Sequence, residues 1–268
     1  MDFDVCKETL LSFLSEPLNE TNGIFERFLS LPGAVLQKGE KPNQTYLFVP
    51  GKSKNPVLLV AHVDTVWDKN YKNNRSGSGY EIKDGKVVSA DEKAGIGADD
   101  RAGCACLWLF RESGHSLLLI DGEENSHKGA AYIKKDKKLF KLINDHAFVM
   151  AFDLSGTDGY MFHAVRNPAS FAEFLDSCGY KRQREDGGSD IFYLCKKAAG
   201  VNVSLGYQNE HKQSETISFD DFYRSVSLAD GLLKKVDRKY KIPFFIRVYQ
   251  SLRHRIALVV KPIIRKKR

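Results

Sequence analysis

The run Val57-Leu58-Leu59-Val60-Ala61-His62-Val63-Asp64 is five apolar residues, then a histidine and, two residues on, an aspartate. An apolar run of that length without alternation reads as a strand buried on both faces, the condition of strands in parallel sheets. Its polar residues begin where the run stops, at the carboxyl end of the strand. The arrangement recurs. His115–Ile120 is followed by Glu123 and Glu124, and Ala147–Phe152 ends in Asp153. Ligands of open α/β sheets bind beyond the carboxyl ends of strands, so three such ends on one rim form a carboxylate-rich pocket.

Working outward, apolar spacing predicts helices over 4–15 and 22–31, a strand over Thr45–Pro50 and a hairpin over Tyr80–Ala90 turned at Asp84-Gly85. Helices follow after Asp99, near Gly129–Lys135, at 168–177, near 189–198 and at 218–236, with a strand at 200–205. Strands alternating with helices predict an α/β three-layer sandwich around a mixed, largely parallel sheet. The loop Lys69–Gly79, rich in Asn, Ser and Gly, is the segment expected to move most.

Charge divides the chain in two. The last 28 residues, from Lys241, hold nine Lys/Arg and no acid, which leaves the first 240 at −2 against a total of +7. The body therefore has no electrostatic footprint for nucleic acid. Five cysteines (Cys6, Cys104, Cys106, Cys178, Cys195), odd in number and without a CxxC pair, point to a reducing, cytoplasmic setting. The acidic start at Asp2 and Asp4 is unlike a secretory signal.

Carboxylates gathered at one rim repel and raise one another's pKa, and cations remove the conflict. Two imidazoles (His62, His211) and three carboxylates (Asp99, Glu124, Asp153) suit two Zn2+ ions, with Co2+ or Mn2+ as substitutes. With a bridging hydroxide the formal charges of such a set cancel. One carboxylate must bridge the metals and a base must stand beside the water; Glu123, adjacent to a ligand, can be that base. Taken singly each piece has a plainer reading, Asp99-Asp100 as a helix N-cap pair and His211 as an exposed loop histidine. The order of all five is what points to metal.

These segments resemble the co-catalytic zinc exopeptidases, the superfamily of peptidase T, the glutamyl and leucyl aminopeptidases, carboxypeptidase G and acetylornithine deacetylase. Ala61-His62-Val63-Asp64-Thr65-Val66 looks like the first metal motif, in which the histidine binds metal and Asp64 orients it. Gly97-Ala98-Asp99-Asp100-Arg101-Ala102-Gly103 is similar to the bridging-aspartate motif, with Arg101 where the family has lysine. Asp121-Gly122-Glu123-Glu124, Gly187-Gly188-Ser189-Asp190 and Gly206–His211 with Glu215 resemble later motifs. The resemblance implies one zinc on His62, Asp99 and Asp153 and a second on Asp99, Glu124 and His211. It also implies Glu123 as general base to a metal-activated water, and a cis peptide between Asp99 and Asp100. Many relatives insert a lid domain after the fourth ligand. Here only 33 residues lie between Asp153 and Gly187, so the expectation is a lidless catalytic unit over 1–240.

The implied activity is hydrolysis of a peptide bond, with an aminopeptidase on short peptides in front. An amidase or deacylase on an N-acyl small molecule uses the same chemistry. A protein that only binds partners through its basic tail is the non-enzymatic reading. In the tail, apolar residues from Phe245 to Ile263 recur at three- and four-residue steps, which predicts an amphipathic helix up to Pro262. Arg247, Arg253 and Arg255 interrupt it, so it is not expected to span a membrane. It is suited to packing on the body, to an anionic membrane surface or to another acidic partner.

Overall fold

The computed structural model describes residues 1–67, 79–91 and 93–247. In chain order the elements begin with α1 (Phe3–Leu14), α2 (Asn22–Leu29), β1 (Val35–Lys38), β2 (Thr45–Val49) and β3 (Leu58–His62). Next come β4 (Tyr80–Lys83), β5 (Lys86–Ser89), α3 (Ala98–Leu109), β6 (Ser116–Ile120), α4 (Lys128–Ile133) and α5 (Lys137–Ile143). The remainder are β7 (Val149–Leu154), β8 (Gly159–Met161), α6 (Ala169–Ser177), β9 (Lys181–Arg182), α7 (Ile191–Leu194), β10 (Gly200–Ser204), β11 (Tyr207–Gln208), β12 (Thr216–Ser218) and α8 (Phe219–Leu233).

The strand read from Val57 is β3, buried throughout. Leu59 and Ala61 face one core and Leu58 and Val60 the other, as the two-residue period of a strand requires. Leu117 and Leu119 of β6 point with the first pair, Leu118 and Ile120 with the second. Helices α1, α2, α3, α6 and α8 cover the first face; α4, α5 and α7 cover the second. The result is the three-layer α/β sandwich expected.

The main sheet runs β1-β2-β6-β3-β7-β10-β8-β9. Its centre is parallel: β3 pairs with β6 and β7, and β7 with β10. Strand β2 joins antiparallel to β6. The expected hairpin is β4–β5, but it belongs to a second sheet, β11-β12-β5-β4.

The helix expected over 189–198 is reduced to α7. The N–H groups of Lys196, Lys197 and Ala198 donate to Asn144 Oδ1 at 2.8, 2.7 and 3.3 Å instead of to carbonyls four residues back. Helix α5, not foreseen, is capped by Asp136, whose carboxylate accepts from the N–H of Lys138 and Leu139. The 33 residues after Asp153 complete β7 and form β8, α6 and β9, all joined to the same sheet or packed on it.

Beyond α8 the chain returns to the amino-terminal ends of β7 and β10. Lys241 bridges Ala198, and its Nζ donates to the carbonyls of Asn144 and His146 at 2.9 and 2.7 Å. A helical turn follows at 244–247, with Phe244 and Phe245 each 72% exposed. The rest of the predicted tail helix, and the loop 69–78, lie outside the described residues. Among the described residues no helix is long and apolar enough to cross a membrane.

Candidate metal centre

The carboxyl ends of the central strands meet as the apolar runs predict. His62 ends β3, the Glu123-Glu124 turn follows β6, and Asp153 lies in β7. Asp99 enters at the head of α3, where it and Asp100 depart from helical dihedrals and are joined by a cis peptide. His211 comes from the connection between β11 and β12.

Asp99 is the centre of the cluster. Its Oδ1 lies 2.9 Å from His62 Nε2 and its Oδ2 lies 2.8 Å from His211 Nε2. His62 Nε2 is also 3.4 Å from Asp153 Oδ1, and His211 Nε2 is 3.0 Å from Glu124 Oε1. Two sets of potential ligand atoms result, His62–Asp99–Asp153 and Asp99–Glu124–His211, each with its atoms within 4.8 Å of one another. They share the Asp99 carboxylate. Glu123 stands beside them, in a third such group with His62 and Glu124.

The surroundings fix these groups. His62 Nδ1–H donates to the Asp64 carbonyl at 2.9 Å, which leaves Nε2 for the centre. The Asp64 carboxylate is 3.5 Å from His62 Nδ1. It is mainly occupied by the N–H groups of Gly122 and Glu123 on Oδ1 (2.8 and 3.2 Å) and of Glu124 on Oδ2 (3.1 Å). Asp64 thereby ties the Glu-Glu turn to the strand that carries His62. Glu215, fully buried, accepts from the N–H of Gly97 and Asp99 at 2.7 and 3.0 Å. A Cβ on Gly95 would lie 2.5 Å from that carboxylate, which explains the glycine. Arg101 is wholly buried. It donates to the carbonyls of Val63 (2.6 Å), Pro17 (2.9 Å) and Glu20 (2.7 Å), clamping the connection after α1 against the His62 segment.

Two contributors were not read from the sequence. Asn202 of β10 accepts the Asp153 N–H at 2.9 Å and donates to the Asp153 carbonyl at 2.7 Å. His127 places Nδ1 3.0 Å from Glu123 Oε1 and 3.2 Å from Asp190 Oδ1. The only hint was position, four residues after Glu123 in a turn that already held two acids.

The electrostatics are those of crowded anions. Burial pushes Asp153 up to about 6, Glu124 to about 7 and Glu123 to about 8, against the pull of the histidines. Burial opposes a charge on His62, but the carboxylates of Asp153, Asp64 and Asp99 outweigh it and hold its pKa well above the usual value. Hydrogen bonds to Asp99 and Glu124 raise His211 to about 11. Burial likewise opposes ionisation of Asp99, yet the two imidazoles hold its pKa low. The donor set of imidazole nitrogen and carboxylate oxygen, in two groups sharing one carboxylate, fits a pair of zinc-like ions.

No protein-family model and no curated protein sequence matches the chain. Solved structures do match, and the class they define is that of aminopeptidases and related peptidases in fold. An aminopeptidase PepT from Bacillus cereus superposes with a TM-score of 0.63 at 13% identity, over 88% of this chain and 99% of that one. A tripeptidase from Staphylococcus aureus gives 0.63 at 14%, over 88% and 99%. The LapA aminopeptidase of Legionella pneumophila gives 0.59 at 13%, over 89% and 70%. At these identities the likeness establishes that the chain has their fold.

Proposed function

We propose that this chain is a two-metal exopeptidase, an aminopeptidase acting on short peptides. One Zn2+ would be held by His62, Asp99 and Asp153, the other by Asp99, Glu124 and His211. The observation that carries the reading is the shared carboxylate, with a histidine nitrogen at hydrogen-bond distance from each Asp99 oxygen. The fold shared with aminopeptidase and tripeptidase structures supports it.

Bound divalent cations supply Lewis acidity and make water acidic near neutral pH. Glu123 takes the proton from the attacking water and returns it to the leaving amine. Asp64 and Glu215 hold the turn and the helix entry that carry the ligands. Residues 1–240 are the catalytic unit, and the absence of a lid-sized segment between Asp153 and Gly187 favours an aminopeptidase over a carboxypeptidase. Five free cysteines support a reducing, cytoplasmic setting. Residues 241–268, with nine cations and the exposed pair Phe244 and Phe245, suit an anionic membrane surface. Vesicle co-sedimentation with and without them tests that part.

The deciding experiment is metal analysis with a screen of free-amine and N-acyl peptides. Near two zincs per chain and cleavage that needs the free amine are expected. Glu123→Gln should keep the metal and lose roughly 100- to 10,000-fold in turnover. His62→Ala and His211→Ala should lose metal. A reconstituted protein that binds none, or Glu123→Gln at the wild-type rate, defeats the proposal.

A further inference from the structure

We infer that His127 is the positioning residue for the Glu123 carboxylate, an inference that rests on Glu123 being the base proposed above. His127 Nδ1 carries one hydrogen and faces two carboxylates, Glu123 Oε1 at 3.0 Å and Asp190 Oδ1 at 3.2 Å. The hydrogen bond goes to Asp190, and the ring nitrogen holds Glu123 Oε1 as an ion pair, which leaves Oε2 as the oxygen to exchange a proton. The other carboxylate anchors the ring from the far side, because Asp190 is buried and cannot swing away.

The ring itself has little freedom. It leans on Tyr193 with centroids 5.2 Å apart. Its backbone sits at φ 54°, and its N–H donates to the Glu123 carbonyl at 2.9 Å. The opposite edge meets Gly188, where a Cβ would lie 2.6 Å from His127 Nε2. The second glycine of Gly187-Gly188-Ser189-Asp190 therefore makes room for the imidazole, and the aspartate of the same turn orients it. A motif that the sequence marks only as a turn thus reaches Glu123 through His127. Without the imidazole between them, the two nearby carboxylates would repel and Glu123 would rotate out of line.

Two variants separate orientation from backbone effects. His127→Gly accepts the positive φ and removes the N–H. His127→Asn also tolerates that conformation and places an amide N–H where Nδ1 stands. His127→Gly should lower kcat on the order of 100-fold, the effect of misplacing a reacting group by about 1 Å, with KM and bound metal unchanged. His127→Asn should recover most of that loss. Should His127→Gly not fold, His127→Gln takes its place, since its amide reaches the Nε2 position and should not rescue. The inference is overturned if His127→Gly turns over like wild type while Glu123→Gln is inactive. It is also overturned if His127→Asn is no better than His127→Gly or Gln, or if the loss of rate follows a loss of metal. Wild-type turnover in Glu123→Gln would instead remove the base assignment beneath it.

Discussion

Replacing Asn144 with leucine should cost this protein much of its stability and none of its chemistry. Asn144 is 6% exposed. Its Oδ1 accepts three N–H groups, from Lys196, Lys197 and Ala198, and its Nδ2 donates to the carbonyls of Phe140 and Leu194 at 2.9 and 3.0 Å. Leucine has a similar volume and makes none of these bonds. At about 0.5–1.5 kcal/mol net per hydrogen bond, five would amount to roughly 3–7 kcal/mol. Lys196 and Lys197 are exposed residues, so water can serve part of what is lost, and the lower half, about 3–4 kcal/mol, is the expectation. For a domain near this size that corresponds to a fall of roughly 6–16 °C in Tm. Asn144 precedes β7, at the end of the sheet opposite the ligands, so kcat per folded molecule should not change. Calorimetry with an active-fraction assay measures both. A fall of under about 3 °C would refute the claim that this side chain ends α7 and holds the following strand. Loss of kcat in the folded fraction would refute the separation of the two ends.

Asp64→Asn should retain the fold but weaken metal binding by about 10- to 100-fold, because its amide would face the Glu124 N–H that now donates to Oδ2. Chelator competition reads this, and an unchanged midpoint would rule out the role assigned to Asp64. His146 gives a pH prediction. Burial lowers its pKa below the usual value. Its Nδ1–H donates to Leu142 O, and its Nε2 accepts from a Ser116 hydroxyl that already accepts the Gly51 N–H. The unfolded chain therefore binds the proton more readily than the folded one. The contribution is fully present above about 6.5 and is lost as pH falls from there through the folded pKa, with a slope of at most about 1.4 kcal/mol per unit. His146→Gln should flatten the denaturation midpoint against pH in that window. Equal slopes for variant and wild type would count against it.

The central strands and the ligands at their ends, His62, Glu124 and Asp153, were legible because both are local facts. An apolar run such as Val57–Ala61 can only be a strand or a buried helix segment, and its length and flanks choose. A polar residue at its end then lies on the rim. Short elements escaped for the opposite reason. β12 has three residues and exists because it pairs with β5, far away in sequence. α7 stops early because Asn144 claims the N–H groups that would have extended it.

The sequence by itself determined the α/β layering and the strand ends that carry His62, Glu124 and Asp153, since these follow from residue type and short-range period, while Asp99 and His211 were singled out by their order among motifs that resemble a known family. Only the tertiary structure decided that Asp99 faces both histidines, that Glu215 supports it from 116 positions away, and that Asn202 and His127 complete the surroundings. Those contacts depend on which strands lie side by side and how close their ends come. Hydrogen bonds act over about 3 Å in space, and no sequence period encodes that distance between residues so far apart along the chain.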